Sequence, residues 1–265
     1  MSAPTLNGNA IQSAIEADLQ KPRERVENRT SLTYWFPKIE AAGLPVPKTI
    51  IIELPEDARS AIWNVFDGKP MGDAPNSFFG KIKAAGESLG YPCFLRTSHT
   101  SGKHDWERTC FLNGPHQVKK HVAAIIEYGE MASIFGLPHD WWAVRELLPT
   151  KPLTVCSRFG NMPVCKEFRV FVRDSKVECW HPYWPLHALE QGGAIAPEIS
   201  FKDLNACQDE EGLLALAAKA GAACGGYWSV DLLDTERGWY ITDMAEGEKS
   251  FHWEICANAP RSGPC

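Results

Sequence analysis

The chain of 265 residues is predicted to be an α+β protein, with antiparallel strand pairs separated by helices. Two hairpin patterns carry this prediction. EFRVFVRDSKVECWHPYW alternates apolar and polar residues around a turn at Asp174 and Ser175, and YWSVDLLDTERGWYITDMAEG does so around DTERG. Between them, EGLLALAAKAGAACGG has helical apolar spacing and ends in glycines. Hairpins separated by a helix favour α+β architecture over a purely parallel sheet.

The N-terminal elements are mixed. Residues 11–27 carry apolar side chains at helical spacing with charges between them, which predicts an amphipathic helix. SLTYWFPKIEAAGLPVPKTIII predicts a helix that ends at Gly43, a proline-bounded turn and a strand over residues 49–52. A further helix is predicted over residues 78–89. We therefore expect residues 1–90 to form a smaller N-terminal α/β segment.

The pattern changes after this segment. YPCFLRTS predicts a strand, CFL a second short strand, and QVKKHVAAIIEYGEMA a helix with one apolar face. WWAVRELLP then predicts a buried strand before the first hairpin. We expect one main domain over residues 91–256, divided into subdomains 91–143 and 144–256, followed by a tail at 257–265.

Composition restricts the function. The 27 basic and 33 acidic residues give a net charge of −6, which argues against broad capture of nucleic acid. No apolar run approaches the roughly 18 residues of a membrane span, and the N-terminus lacks a signal-peptide pattern. The nine cysteines contain no C-x-x-C pair and the eight histidines no H-E-x-x-H, so no zinc site is predicted. We expect a cytoplasmic protein with no membrane partner.

The loop in LRTSHTSGKHDW follows a strand that ends on Arg96 and carries a second cation, Lys103. One interpretation is a surface turn with both cations solvated. The other is a phosphate clamp, in which small residues let the backbone approach an anion that the two cations neutralise. The loop alone does not choose between them.

The final hairpin carries three acids. Asp231 follows WSV on one strand, Asp243 follows WYIT on its partner, and Glu246 lies three residues further on. Carboxylates that converge at a strand end suit Mg²⁺, because hard cations prefer oxygen ligands and like charges need a metal to coexist. The alternative is a set of solvated turn acids, which we accept for Asp234 and Glu236 but not for carboxylates embedded in an apolar strand.

The order of these parts resembles the ATP-grasp superfamily over roughly residues 91–256. A basic residue ends a strand before a small-residue loop, VRELLP and KEFRVFV follow, and the hairpin carries VDLL and ITDMAEG. The resemblance is closest to the compact ATP-grasp proteins of phage and bacterial genomes. It implies two α/β subdomains whose antiparallel sheets clasp ATP.

The resemblance also implies a role for each matching position, with ATP and Mg²⁺ as cofactors. Arg96 takes the place of a phosphate-contacting lysine, and the flexible loop over the triphosphate contains Ser101, Gly102 and Lys103. The adenine-binding hinge comprises Glu146, Leu147 and Leu148. Glu167 matches the acid that holds the ribose hydroxyls. The magnesium ligands correspond to Asp231, Asp243 and Glu246.

Three departures from the family pattern stand out. The usual Glu-x-Asn at the metal strand is replaced by Asp243 and Ala245. An arginine two residues before the first metal acid is replaced by Ser229, and either Arg169 or Arg173 substitutes for it; Arg169 and Lys103 are the expected catalytic cations. The family's upstream lysine corresponds to Lys81 or Lys83, between which the sequence does not choose.

The implied activity is an ADP-forming ligase that joins a carboxylate and an amine through an acyl phosphate. The substrate is an amino acid, a peptide or a protein. Two alternatives stay open: a non-ligating nucleotide-binding assembly factor, and a nucleic-acid ligase or modifying enzyme, for which KPRER at 21–25 is the dense basic run. The aromatic residues Trp180, Tyr183 and Trp184 either pack in a core or line a substrate pocket.

Overall fold

The computed structural model describes residues 28–132, 136–194, 201–253 and 256–258. The helix expected over 11–27, the basic run at 21–25 and most of the predicted tail lie outside these ranges. No helix within them is both long and apolar enough to cross a membrane.

The described chain contains seven α-helices and ten strands. The helices are α1 (Leu32–Ala41), α2 (Glu56–Phe66), α3 (Asn76–Leu89), α4 (Val118–Met131), α5 (Leu186–Gln191), α6 (Phe201–Asn205) and α7 (Glu210–Cys224). The strands are β1 (Thr49–Glu53), β2 (Cys93–Thr97), β3 (Phe111–Leu112), β4 (Trp141–Glu146), β5 (Thr154–Cys156), β6 (Met162–Val164), β7 (Glu167–Arg173), β8 (Lys176–Pro182), β9 (Tyr227–Thr235) and β10 (Gly238–Glu246).

The first sheet has the strand order β1-β4-β2-β3, with every neighbouring pair antiparallel. Strand alternation gives it two different faces. Cys93 and Leu95 of β2 are fully buried in a core shared with α2, α3 and α4. Phe94 and Arg96 therefore point to the other face, which is free of helices from this core.

The second sheet has the order β10-β9-β7-β8 and is also antiparallel throughout. Phe168 and Val170 of β7 pack with Trp228 and Val230 of β9 against α1 and α7. The opposite face carries the alternate residues of these strands, among them Glu167. Each sheet is thus covered by helices on one face and leaves a polar face for the other half of the chain.

The predicted hairpins are confirmed, including the first turn. Strand β7 ends at Arg173 and β8 begins at Lys176, and Asp174 between them has φ 55°. Asp tolerates this left-handed conformation better than most residues, and its Oδ1 accepts a hydrogen bond of 2.7 Å from the backbone N–H of Gly226.

Helix α2 and the two-stranded ribbon β5–β6 were not expected from the sequence. The first sheet also crosses the predicted segment boundaries. Strand β1 belongs to the proposed N-terminal segment, yet it pairs with β4, which straddles the boundary between residues 143 and 144. The division at residue 90 therefore does not separate the sheets.

Candidate functional site

A cavity of about 620 Å³ lies where the polar faces of the two sheets meet. Ligand pockets typically have volumes of about 300–1,000 Å³. Most of the binding residues predicted from the sequence line it: Arg96, Ser101, Gly102, Lys103, Glu146, Leu147, Leu148, Glu167 and Asp243. Segments far apart in the sequence are therefore brought together as expected. Neither Lys81 nor Lys83 lines the cavity in the described part of the chain.

The loop after β2 has a backbone fixed by its own side chains. Thr97 Oγ1 accepts hydrogen bonds from the N–H groups of His99 (3.2 Å) and Thr100 (3.0 Å). Gly102 follows with φ 63°, and a Cβ there would lie 3.1 Å from Cγ2 of Thr109. Both the conformation and the close approach require glycine. This turn brings Lys103 over the cavity.

Lys103 connects the two halves of the site. Its Nζ lies 3.2 Å from Glu167 Oε2, 3.7 Å from the ring centre of Tyr183 and 4.9 Å from that of Trp184. Burial lowers the pKa of Lys103, but the Glu167 carboxylate more than offsets this, so the pKa lies above its ordinary value. Burial raises the pKa of Glu167. The lysine is a charged group held at the cavity wall by a carboxylate and two aromatic rings.

Arg145 is a buried cation that the sequence did not single out. It is 3% exposed and lines the cavity. Its Nε donates to Thr49 Oγ1 (3.1 Å) and its Nη1 to the carbonyl of Thr242 (2.6 Å), while Nη2 has no hydrogen-bond partner. Burial, together with the nearby Arg96, lowers the pKa of Arg145 to about 9. The charged guanidinium is therefore destabilised, and an anion in the cavity would relieve it.

Arg96 forms a second link between the sheets. Its Nη1 lies 3.1 Å from Asp243 Oδ1, and its Nε donates to the carbonyl of Thr97 at 3.0 Å. The side chain is 5% exposed, whereas that of Asp243 is 42% exposed. Arg96 and Arg145 are on adjacent, paired strands, so two buried guanidinium groups face the same cavity.

The predicted acids are brought together only in part. Asp231 and Asp243 are partners across β9 and β10, next to an irregularity in the pairing between Ile241 and Asp243. Asp231, however, does not line the cavity, and its two oxygens accept from Arg169 Nε (2.8 Å) and Nη2 (2.9 Å). Burial lowers the pKa of Arg169, and Asp231 more than offsets it, so the pKa is raised.

Arg169, which we expected to be a catalytic cation, is held by Asp231 and does not line the cavity. Its Nε and Nη2 both donate to the Asp231 carboxylate, and its guanidinium lies 4.8 Å from the ring centre of Tyr183. Ser229, at the position of the family arginine, bonds instead to Ser250 (2.6 Å). Arg173 is outside the cavity and pairs with Glu178. Of the two arginines considered as substitutes, Arg169 lies beside Asp231 and Arg173 lies outside the site.

The expectation that Glu246 joins the two aspartates is wrong. The strand continues through Glu246, and three residues from Asp243 place it on the opposite face of the sheet. There it pairs with Lys249 and is absent from the cavity wall. Within the described ranges, no group of three acids brings its oxygens within 4.8 Å of one another. Asp243 is the one predicted metal acid that faces the cavity.

Glu146 lines the cavity as expected, with its carboxylate already engaged. Oε1 accepts from the backbone N–H of Lys48 at 2.9 Å, and Oε2 pairs with Arg237 at 3.2 Å. These contacts fix the segment that continues into Leu147 and Leu148. The contacts of Glu146 therefore hold the backbone of Leu147 and Leu148 at the cavity wall.

The aromatic stretch is divided between the cavity wall and a core. Tyr183 and Trp184 line the cavity, while Trp180 packs with the second core on the opposite face of β8. Phe111 stacks on Trp106 with ring centres 5.6 Å apart, Phe94 contacts the same ring at a tilt, and the three rings add apolar surface to the wall. Flat apolar surface beside fixed polar groups is what a nucleobase or another planar ligand requires.

No family model and no curated protein matches the sequence. Solved structures do match. C-terminally truncated Cdc123 from Schizosaccharomyces pombe is similar at 12% identity over 89% of this chain and 93% of its own, with a TM-score of 0.58. A RimK domain protein ATP-grasp from Sphaerobacter thermophilus has 15% identity over 82% of this chain and a TM-score of 0.44. D-alanine–D-alanine ligase from Bacillus anthracis, complexed with ATP, has 11% identity over 83% and 0.44.

The extent of these matches differs. The chain spans 59% of the Sphaerobacter protein and 55% of the Bacillus ligase, but nearly all of the truncated Cdc123. At 12% identity, the similarity to truncated Cdc123 concerns the fold alone.

Proposed function

We propose that this chain, which has the ATP-grasp fold, binds ATP with Mg²⁺ in the cavity between its sheets and uses it to join a carboxylate to an amine. The observation that carries the proposal is Arg145. A buried guanidinium with an unpartnered nitrogen, beside the equally buried Arg96, is costly unless an anion occupies the cavity. A triphosphate is an anion of suitable charge and hydrogen-bonding capacity.

The remaining lining residues suit the other parts of the nucleotide. Backbone groups of residues 146–148 read the adenine edge, and the apolar surface of Phe94 and Trp106 covers its faces. Glu167 accepts from the ribose hydroxyls. Mg²⁺ is usually held by one or two carboxylates together with substrate phosphates, so Asp243 alone is sufficient on the protein side.

The Lys103–Glu167 ion pair occupies two of these binding groups at once. ATP would compete for the Glu167 carboxylate through its ribose and for the Lys103 ammonium through its phosphates. We therefore expect nucleotide contacts to replace this ion pair. The loop around Gly102 should then change conformation on binding, whereas the second sheet should change little.

The proposed reaction has two steps. A carboxylate oxygen of the substrate attacks the γ-phosphorus, ADP leaves, and an acyl phosphate remains. An amine nitrogen then attacks the acyl carbon, and phosphate leaves as the amide forms. Arg96, Arg145 and Lys103 neutralise charge that accumulates on the phosphoryl oxygens, because positioning and electrostatic stabilisation dominate phosphoryl transfer. Mg²⁺ adds charge neutralisation when it is bound. The acceptor is an amino acid, a peptide or a protein.

A second candidate is a nucleotide-binding protein without ligase activity. It is favoured by the acids of the site, since Asp231 is committed to Arg169 and Ala245 replaces the usual asparagine. A single carboxylate at the metal position is enough for Mg²⁺–ATP binding but leaves fewer ligands for turnover than the family pattern has.

Calorimetry of ATP binding with and without Mg²⁺ tests the nucleotide site. We expect Arg145→Met and Lys103→Met to weaken binding by about tenfold or more, since hydrogen bonds to charged groups contribute about 1.5–3 kcal/mol. Arg173→Met and Lys176→Met remove the same charges outside the cavity and serve as matched controls. An unaltered affinity in both cavity variants, each confirmed to be folded by its melting curve, contradicts the site.

ADP release separates the two candidates. Wild-type protein is incubated with Mg²⁺–ATP and mixtures of amino acids or peptides. ADP that appears only with a particular mixture supports the ligase, and a mass spectrum of the new amide identifies the product. ATP binding with no ADP release from any mixture supports the second candidate.

A further inference from the structure

A cluster of cysteine and histidine side chains lies apart from the nucleotide cavity. Cys179 comes from β8, whereas His252 and Cys256 follow β10 and its short 3₁₀ turn. Their ligand atoms all lie within 4.8 Å of one another, and no other such group of three His, Cys, Asp or Glu occurs in the described residues. None of the three lines the nucleotide cavity.

The separation of Cys179 and His252 is close to that of two ligands on a tetrahedral zinc ion. With bonds of about 2.3 Å to sulfur and about 2.0–2.1 Å to nitrogen, two ligand atoms on one zinc ion are separated by about 3.6–3.8 Å. Sγ of Cys179 lies 3.9 Å from Nδ1 of His252. The observed separation therefore differs from that of a bound site by only a few tenths of an ångström.

The orientation of His252 is set by two contacts that do not involve the cysteines. Its ring stacks on Phe171 with ring centres 3.5 Å apart, and its Nε2 lies 3.3 Å from the hydroxyl of Tyr227. Nδ1 is therefore the nitrogen that faces the two sulfurs. A hydrogen-bond partner for the second ring nitrogen is the usual arrangement of a metal-bound histidine, because it fixes the tautomer and the ring.

The third ligand is held by the backbone of its own segment. The N–H of Cys256 donates to the carbonyl of Trp253 at 2.9 Å, and Asn258 Nδ2 donates to the carbonyl of Glu178 at 2.9 Å. The second bond ties the segment to β8 beside Cys179. A surface cavity whose lining includes Tyr227, His252 and Asn258 borders the cluster.

We propose that Cys179, His252 and Cys256 bind one Zn²⁺ ion. Two thiolates and one imidazole form a donor set that favours zinc over the hard cation of the nucleotide site. Water supplies the fourth ligand, and binding releases the two thiol protons to solvent. The ion joins the segment after β10 to strand β8. Because none of its ligands lines the nucleotide cavity, this proposal does not depend on ATP binding.

The test uses the full chain, reduced, freed of metal with a chelator and then desalted. Zn²⁺ affinity and stoichiometry are measured by competition with a chromophoric chelator, and Co²⁺ serves as a spectroscopic probe of thiolate ligation and four-coordination. The variants are Cys179→Ser, His252→Gln and Cys256→Ser. Cys207→Ser removes a half-buried thiol outside the cluster and is the matched control.

We expect one Zn²⁺ per wild-type chain and for Cys207→Ser. Each ligand variant should lose more than about 100-fold in affinity, because even loss of an outer partner typically costs about 10–100-fold. Tyr227→Phe, which removes only the outer partner, should fall within that smaller range. Melting curves in chelator identify any variant that is unfolded, and the remaining variants then carry the comparison.

Three results would overturn the inference. The first is a reduced wild-type chain that binds no Zn²⁺. The second is binding that all the folded ligand variants retain, which would place the ion elsewhere. The third is a Cys179–Cys256 disulfide, found by non-reducing peptide mapping, in a chain whose reduced form binds no Zn²⁺. That combination would make the cluster a redox pair instead.

Discussion

The two aspartates of the last hairpin provide a sharp test of the site, because they are strand partners in very different surroundings. The Asp231 side chain is 6% exposed and held by Arg169, which is itself 16% exposed. The Asp243 side chain is 42% exposed and faces the cavity. We predict that Asp231→Asn mainly reduces stability, whereas Asp243→Asn mainly reduces Mg²⁺-dependent ATP binding.

The magnitudes follow from burial. Breaking a buried ion pair by removing one partner costs about 3–5 kcal/mol, and the partial exposure of Arg169 places Asp231→Asn near the lower end, at about 3 kcal/mol. The pair of Arg96 with Asp243 is open to water on the carboxylate side, where such pairs contribute about 0–1 kcal/mol. Burial of Arg96 places Asp243→Asn near the upper end, at about 1 kcal/mol.

Urea unfolding gives the two stabilities, with the slope of each transition checked against wild type to confirm that the unfolded states are comparable. Calorimetry of ATP with and without Mg²⁺ gives the second quantity. Glu236→Gln, at the exposed hairpin turn, is the matched acid-to-amide control. It should change neither quantity.

Two outcomes refute this reasoning. An Asp231→Asn variant within about 1 kcal/mol of wild type shows that the pair with Arg169 is not a stabilising buried contact. A folded Asp231→Asn variant that loses Mg²⁺ dependence, while Asp243→Asn keeps it, shows that the metal acid is Asp231. The assignment based on cavity lining would then be inverted.

Further predictions concern the loop, the core and pH. Gly102→Ala should lower ATP affinity and cost about 1–2 kcal/mol, since the left-handed backbone is strained and the new Cβ meets Thr109; Gly43→Ala, with similar φ and nothing within 4 Å, reports the backbone cost alone. Phe168→Ala should cost about 3–5 kcal/mol by urea unfolding, whereas Phe251→Ala, 52% exposed, should cost less than about 0.5. Burial lowers the pKa of His121 below its ordinary 6.5. As pH falls, the unfolded chain therefore binds a proton at this histidine before the folded chain does. The contribution of His121 to the free energy of unfolding is fully present above about pH 6.5 and is lost as pH falls from there toward the folded pKa. Melting curves across this pH range should show a weaker dependence of stability on pH for His121→Gln.

The hairpins could be predicted from sequence because their signals are local. Alternation in EFRVFVR and the Asp-Ser turn fix both the strands and their connection, and the structure places the turn at these residues. Most of the predicted binding residues line the cavity, since each lies on the polar face of a strand or in the segment that follows a strand with a recognisable pattern. Alternation decides which side chains can reach a common site.

Arg145 and Glu246 show where local patterns end. Arg145 directly precedes the predicted hinge. Its importance for the site depends on contacts with Thr49 of β1 and with the carbonyl of Thr242, and the local sequence VRELLP predicts neither contact. Glu246 was predicted to join the aspartates because it lies close to them at the end of the same strand. Because side chains alternate between the two faces of a strand, a residue three positions beyond Asp243 points to the opposite face. Counting acids near a strand end is therefore weaker evidence than counting positions on one face.

The polar contacts across the cavity suggest how the two sheets respond to a nucleotide. Three cations from the first half, Arg96, Arg145 and Lys103, reach acceptors in the second half: Asp243, the Thr242 carbonyl and Glu167. The two carboxylates are also the groups proposed for Mg²⁺ and ribose, so in the proposed complex ATP would replace both ion pairs and supply new anionic partners. Arg145 donates instead to the backbone carbonyl of Thr242, which is not among the groups proposed to bind the nucleotide, and the Arg145 side chain is buried. The contact of Arg145 is therefore the one of these three that the proposed binding of ATP would not have to break.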